Sequence, residues 1–297
     1  MKILKLIKLA RPKEWIKNFF VFAPLLFSGL LFNTSYLTKS LEAFIAFCFV
    51  ASCVYIINDI IDVEADRAHK KKRFRPIASG DVTVRQAQIF FILLIILAAG
   101  ILTLLPWKFA MIIGLYLLNN VLYSTRLKHM VLLDVFSISI GFMLRVIAGA
   151  YAIDVQVSSW MIITTIFISL FLAISKRRAE VSGSDATNMA SQRKVLSDYS
   201  LGYVDQINTI TAAGTILSYA LYTGADKTIT VFHTDKLIYT TPFVIFGIFR
   251  YLYLLHNKNL GENPAGIVTK DVPILVVCIL WALVCAAIIY QSKFGLY

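Results

Sequence analysis

Long uncharged apolar runs constrain this chain more than any other feature. Of its 297 residues, 58% are hydrophobic and only 15% charged, whereas a soluble domain carries about a quarter charged residues. The charges cluster, and the runs between them reach the ~20 residues with which a helix crosses ~30 Å of hydrocarbon. A lone segment in lipid must satisfy its own backbone hydrogen bonds, so each run is expected to be a helix. Nine spans are predicted, over residues 17–37, 41–60, 86–105, 107–125, 131–152, 158–175, 205–225, 236–255 and 272–291. The fifth carries Asp134 and Arg145 and the eighth Arg250. Asp134 and Arg145 stand eleven residues apart, too far along a helix to pair directly, so each is expected to face the interior with another partner. Cys48, Cys53, Cys278 and Cys285 fall inside apolar runs without a CxxC pair, and read as small buried hydrophobes.

Lysine and arginine set the orientation. With the N-terminus inside, 23 basic residues fall in inside segments and 5 outside. The expected topology is therefore N-terminus cytosolic and C-terminus outside. Lys2, Lys5 and Lys8 recur every three residues among apolar ones, as in an amphipathic helix on an anionic membrane surface, ended by Pro12. No Ala-x-Ala cleavage pattern precedes the first span. The whole chain reads as a single transmembrane domain, with residues 1–16 interfacial and two long inside loops, 61–85 and 176–204. Long charged loops on one face are where such a protein keeps its chemistry. The net charge of +12 follows from the positive-inside bias, and no soluble basic domain is present to bind nucleic acid.

Two constellations lie at the cytosolic end of the second span and in the loop that follows it. Asn58, Asp59, Asp62 and Asp66 form NDIIDVEAD, with the carboxylates spaced three and four apart on one helical face. Like charges stacked so need a cation to offset them, and hard oxygen ligands suit Mg²⁺, which bridges to substrate phosphates. Acidic residues at membrane depth are costly and usually functional. Just beyond lie His69, Lys70, Lys71, Lys72, Arg73 and Arg75, then Pro76 and Ser79-Gly80. Lys70 and Lys71 read as membrane anchoring, Arg73 and Arg75 as ligand contacts. Acid ligands followed by a guanidinium fork make a metal-plus-phosphate site.

NDxxDxxxD, then KRxRPIxSG, then YSTRLK (Tyr123 to Lys128) resembles the pattern of the UbiA superfamily of intramembrane prenyltransferases. The resemblance runs nearly the whole length. It implies an all-α polytopic bundle of about nine transmembrane helices around a lipid-accessible cavity, with Asp59, Asp62 and Asp66 as magnesium ligands. Typical aromatic prenyltransferases of that family carry a second aspartate-rich motif at the end of span six. Here that place reads Lys176-Arg177-Arg178-Ala179-Glu180, and a cationic site binds phosphate without a second metal. This departure, with RPKEWIKN (Arg11 to Asn18), LRVIAGAYAI in span five and GENPAGIVTKD (Gly261 to Asp271), is similar to the polyprenyl-phosphate phosphoribosyltransferase branch.

What the resemblance implies is Mg²⁺-dependent transfer of 5-phosphoribose from 5-phosphoribosyl diphosphate to a polyprenyl monophosphate of decaprenyl type. Diphosphate leaves, and the product serves cell-envelope glycan synthesis. Catalytic positions are then Asp59, Asp62, Asp66, Lys176, Arg177 and Glu180. Substrate-binding positions are Lys17, Asn58, Lys72, Arg73, Arg75, Tyr123, Arg126 and Lys128, on the cytosolic face of the plasma membrane. Arg193 and Tyr199 are weaker candidates, and His129, His233 and His256 have no expected role. A homo-oligomer is compatible with the sequence. Two other functions stay open. One is prenyl transfer from a prenyl diphosphate to an aromatic acceptor, which the missing second aspartate motif opposes. The other is anion transport, which the one-sided charges and the lack of a broken helix pair oppose.

Overall fold

The structure, a computed structural model, describes residues 2–69, 72–183, 194–258, 260–261 and 264–291. Lys70, Lys71 and Arg193, which the sequence groups with the site, lie outside these. Among the described residues thirteen α-helices follow one another: α1 Lys2–Ala10, α2 Ala23–Leu26, α3 Thr34–Ile61, α4 Val63–Ala68, α5 Val84–Leu102, α6 Trp107–Thr125, α7 Leu133–Ala152, α8 Ser159–Ser182, α9 Leu201–Gly224, α10 Asp226–Phe232, α11 Thr241–Asn257, α12 Pro264–Lys270 and α13 Val272–Gln291. No strand occurs among the described residues. Six helical stretches among the described residues are long and apolar enough to cross a membrane: Thr34–Ile61, Val84–Leu102, Leu133–Ala152, Ser159–Ser182, Lys236–Asn257 and Val272–Gln291. Only 17% of the most apolar window of α5, and of α13, is buried within the protein. Side chains such as Ile92, Ile96, Ile279 and Leu283 therefore point outward, an arrangement that lipid tolerates and water does not.

The chain packs as two compact units. Unit one comprises Met1–Leu25, Phe32–Thr125 and Leu144–Gln156, and unit two Leu26–Leu31, Arg126–Met143 and Val157–Tyr297. In unit one, α3 packs against α5, against α6 and against the 3₁₀ segment Pro12–Phe22. Phe47, Phe109 and Tyr116 form its aromatic centre, with edge contacts of 6.0 and 5.2 Å. Capping residues set the helix starts. Asn33 accepts from Ser35 N at α3, and Thr83 with Gln86 makes a reciprocal capping box at α5. Gly149 of α7 is obligatory, because a Cβ there would stand 2.0 Å from the Val21 carbonyl oxygen. In unit two, α8 pairs along its length with α9, and α11 with α13.

Two expectations are corrected here. The predicted first span, 17–37, is not one helix: it begins in the 3₁₀ segment, turns α-helical only over Ala23–Leu26, and its last residues open α3. Gly29, at φ 70°, breaks the chain between them. The basic motif after span six is not a loop, because α8 runs on to Ser182 and carries Lys176 to Glu180 within it. Among the cysteines, Cys48, Cys53 and Cys285 are buried as expected, whereas Cys278 is exposed.

Candidate functional site

The acidic constellation of unit one sits where α3 gives way to α4. Asp62 leaves the helical conformation at φ −89°, ψ 10°. The three carboxylates therefore do not ride one continuous helix, which relieves the i, i+3/i+4 repulsion of a like-charged face. Asp59 and Asp66 are buried, each 2% exposed. Such carboxylates need cations, and two guanidiniums supply them. Arg75 donates to Asp66 Oδ2 at 2.6 Å and to Asp59 Oδ1 at 3.1 Å, and Arg11 donates to the same Asp59 Oδ1 at 2.5 Å. Asp59 Oδ2 is buried without a hydrogen-bond partner among the described residues. Asp62, half-buried, makes no ion pair among them.

Among the described residues no three His, Cys, Asp or Glu side chains stand together as a metal cage. The donor chemistry nevertheless fits a hard divalent cation. The oxygens are carboxylate, several are close in sequence, and one buried oxygen of Asp59 has no other partner.

The remaining predicted residues of unit one lie around this end. Asn58 accepts from Ser124 Oγ at 3.1 Å, tying α3 to the end of α6 beside half-buried Tyr123. Lys17 pairs with Glu14 at 2.6 Å. Lys72 and Arg73 are exposed, and the Arg73 guanidinium lies 4.9 Å from the Phe74 ring. Sequence reasoning missed Arg11, which it read only as part of a family-like opening. It also missed the reach of α1. There Lys5 pairs with Asp81 at 2.6 Å, in the turn that follows Arg75, and that bond holds the Asp81 carboxyl below its ordinary value.

The cationic constellation belongs to unit two. Arg177 is 1% exposed and donates from Nε to Asp134 Oδ2 at 2.6 Å and from Nη1 to Glu180 Oε2. Tyr199 donates to the other Asp134 oxygen at 2.8 Å and accepts from Leu132 N at 2.8 Å. Its phenol is pushed above the ordinary tyrosine range, chiefly by burial. Arg178 is likewise internal, paired with Asp205 at 2.6 Å. Arg177, expected to hold a phosphate, is instead directed into its own unit. Lys176 and Glu180 are the partly exposed members, 3.7 Å apart. Arg126 is exposed and Lys128 half-buried in the short connection to α7. Asp134 and Arg145 each have other partners, as expected. In unit one, Arg145 donates to Asn18 Oδ1 at 2.8 Å and to the Tyr116 hydroxyl at 3.0 Å.

Comparison with known proteins adds identity to this geometry. A family model described as UbiA prenyltransferase family matches residues 20–182. The chain is 36% identical over 297 residues to a decaprenyl-phosphate phosphoribosyltransferase of Mycolicibacterium smegmatis, covering 97% of this chain and 93% of that protein. It is 36% identical over 293 residues to the protein of the same name from Corynebacterium glutamicum, covering 96% and 86%. A solved UbiA homolog from Archaeoglobus fulgidus bound to GPP and Mg2+ superposes with a TM-score of 0.71 at 19% identity, over 96% of this chain and 99% of that one. The same homolog bound to DMAPP and Mg2+ gives 0.72 at 20%. At that identity the likeness is one of fold.

Proposed function

The chain belongs to the UbiA prenyltransferase family, and we propose that it transfers 5-phosphoribose from 5-phosphoribosyl diphosphate to a polyprenyl phosphate, with Mg²⁺, at the cytosolic face of the plasma membrane. What carries this reading is the 36% identity to decaprenyl-phosphate phosphoribosyltransferases over nearly the full length of both chains. The Lys176-to-Glu180 motif, in place of a second aspartate cluster, points the same way. The topology that goes with it has nine membrane passages in one transmembrane domain, N-terminus inside and C-terminus outside. To the six apolar stretches it adds α6, α9 and the segment 12–26.

In the reaction, an ionised oxygen of the lipid phosphate attacks the anomeric carbon of the donor. The bond from that carbon to the diphosphate breaks, and diphosphate leaves with the electron pair. The transition state has oxocarbenium character, so the protein's work is positioning and charge neutralisation. The attacking phosphate is already ionised, and no general base is needed. Asp59, Asp62 and Asp66 would hold the magnesium, which supplies positive charge for the leaving diphosphate. Arg73, Arg75 and Lys72 bind its oxygens or the ribose 5-phosphate. Lys17, Asn58, Tyr123, Arg126 and Lys128 complete the phosphate ligands. Lys176 takes a phosphate and Glu180 orients it or meets a ribose hydroxyl. Arg177, buried between Asp134 and Glu180, positions Glu180 rather than touching substrate.

The test is diphosphate release by the purified protein in detergent. Release from 5-phosphoribosyl diphosphate that requires both Mg²⁺ and a polyprenyl phosphate is expected, and Asp62→Ala should abolish it. Release that ignores the lipid acceptor, or survives EDTA, would contradict the assignment.

A further inference from the structure

Arg11 has no role in the proposed reaction, yet it pairs with buried Asp59. Its backbone is left-handed, φ 53° and ψ 58°, a strained conformation for a non-glycine residue that persists only where the surroundings impose it. They do so on both sides. Ser52 Oγ donates to the Ala10 carbonyl at 2.8 Å and accepts from Trp15 Nε1 at 3.1 Å. Arg11 N donates to Lys8 O at 3.2 Å, and Glu14 N to Arg11 O at 2.8 Å. Before it, Leu9 and Ala10 are buried against α3 and α5. The guanidinium then lies 4.9 Å from the Tyr55 ring, one helical turn below Asp59. That stacking directs it onto Asp59 Oδ1, the oxygen Arg75 also uses.

We propose that Arg11 is a tethered counter-cation of the acidic site, holding Asp59 when no divalent cation is bound and competing with that cation for the carboxylate. The proposal rests on the magnesium reading of Asp59, Asp62 and Asp66. Charge counting supports it. Arg11 and Arg75 together balance Asp59 and Asp66, and Asp62 leaves the set with one negative charge. A divalent cation entering this set turns one negative charge into one positive charge unless a guanidinium lets go or a polyanion arrives with the metal. An arginine released from Asp59 has such a polyanion to bind, the diphosphate that accompanies the metal. Arg11 is thus a positioning residue in the empty protein and a candidate phosphate contact in the loaded one.

The experiment titrates the full-length protein in detergent with Mn²⁺, following the EPR signal of the free ion. Arg11→Gln is expected to bind Mn²⁺ at least about fivefold more tightly than wild type, because a unit charge a few ångströms away is removed. Coupling is reciprocal, so the wild-type protein provides a second readout independent of the variant's folding. Mn²⁺ should raise phenylglyoxal modification of Arg11, read by peptide mass spectrometry. Mn²⁺ affinity that is unchanged or weaker in Arg11→Gln, or labelling of Arg11 that Mn²⁺ leaves flat or lowers, overturns the proposal and leaves the metal site standing. Absence of Mn²⁺ binding in both proteins removes the metal site itself, and the proposal with it.

Discussion

Arg177 shows what a single residue's burial decides. Its pairing with Asp134, side chains 1% and 0% exposed, means that removing one partner strands a charge, at a cost of about 3–5 kcal/mol. Arg177→Gln is therefore expected to lower the melting temperature in detergent by many degrees, whereas loss of a surface cation would move it little. Replacing both partners, Asp134→Leu with Arg177→Met, should restore most of the stability, because apolar pairs of similar size often match a buried ion pair. Activity should not return with it, since Glu180 would still lack its anchor. Melting curves and turnover measured together separate the two effects. Equal recovery of both would show that Arg177 serves stability alone. The sequence showed the residue but not its direction, because the partner Asp134 lies 43 residues away in another helix. Arg11 escaped for a related reason: a basic residue beside a lysine-rich amphipathic helix is indistinguishable, by composition, from a membrane anchor.

At the scale of elements, the close approaches are the most exposed to mutation. Gly149→Ala places a methyl group 2.0 Å from the Val21 carbonyl, and backbone cannot rotate away. A substantial loss of folded yield is expected, while Ala at Gly114, which has open space, should be harmless. Size-exclusion profiles of the two variants check this. The turn before α13 carries a pH-sensitive tie. Asp271 accepts from Arg250 at 2.9 and 3.3 Å and from Ile274 N at 3.1 Å. The Arg250 bond, more than any other influence, holds the Asp271 carboxyl below its ordinary value. A depressed carboxylate contributes stability above the unfolded value of about 3.9, which is lost as pH falls through the folded value. Thermal stability should decline below about pH 4 in wild type, and Asp271→Asn should lack that portion of the decline. The long apolar helices were legible, because the length of an uncharged apolar run is a local property. The 3₁₀ segment 12–22 was not, since its apolar residues read as one continuous α-helix and only Gly29 and Pro24 hint at the break.

For the whole molecule, composition and charge asymmetry carried the membrane class and motif spacing carried the family. The division into two packed units, which parts the Tyr123-to-Lys128 motif after Thr125, has no signature in composition. The proposed topology predicts that a reporter fused in the loop 61–85 is cytosolic and that one at the C-terminus is external. A cytosolic C-terminus beside a cytosolic loop 61–85 would remove one passage after that loop, and α6 and α9, which are not among the six apolar stretches, are the first to question. The proposed phosphoribosyl transfer is read from the lipid product itself. Purified protein is incubated with Mg²⁺, 5-phosphoribosyl diphosphate and a polyprenyl phosphate, and the lipid fraction is weighed by mass spectrometry. A lipid heavier by one phosphoribosyl group, absent with EDTA, is expected. An unchanged lipid, with prenylation instead of an aromatic acceptor when a prenyl diphosphate is supplied, would contradict it.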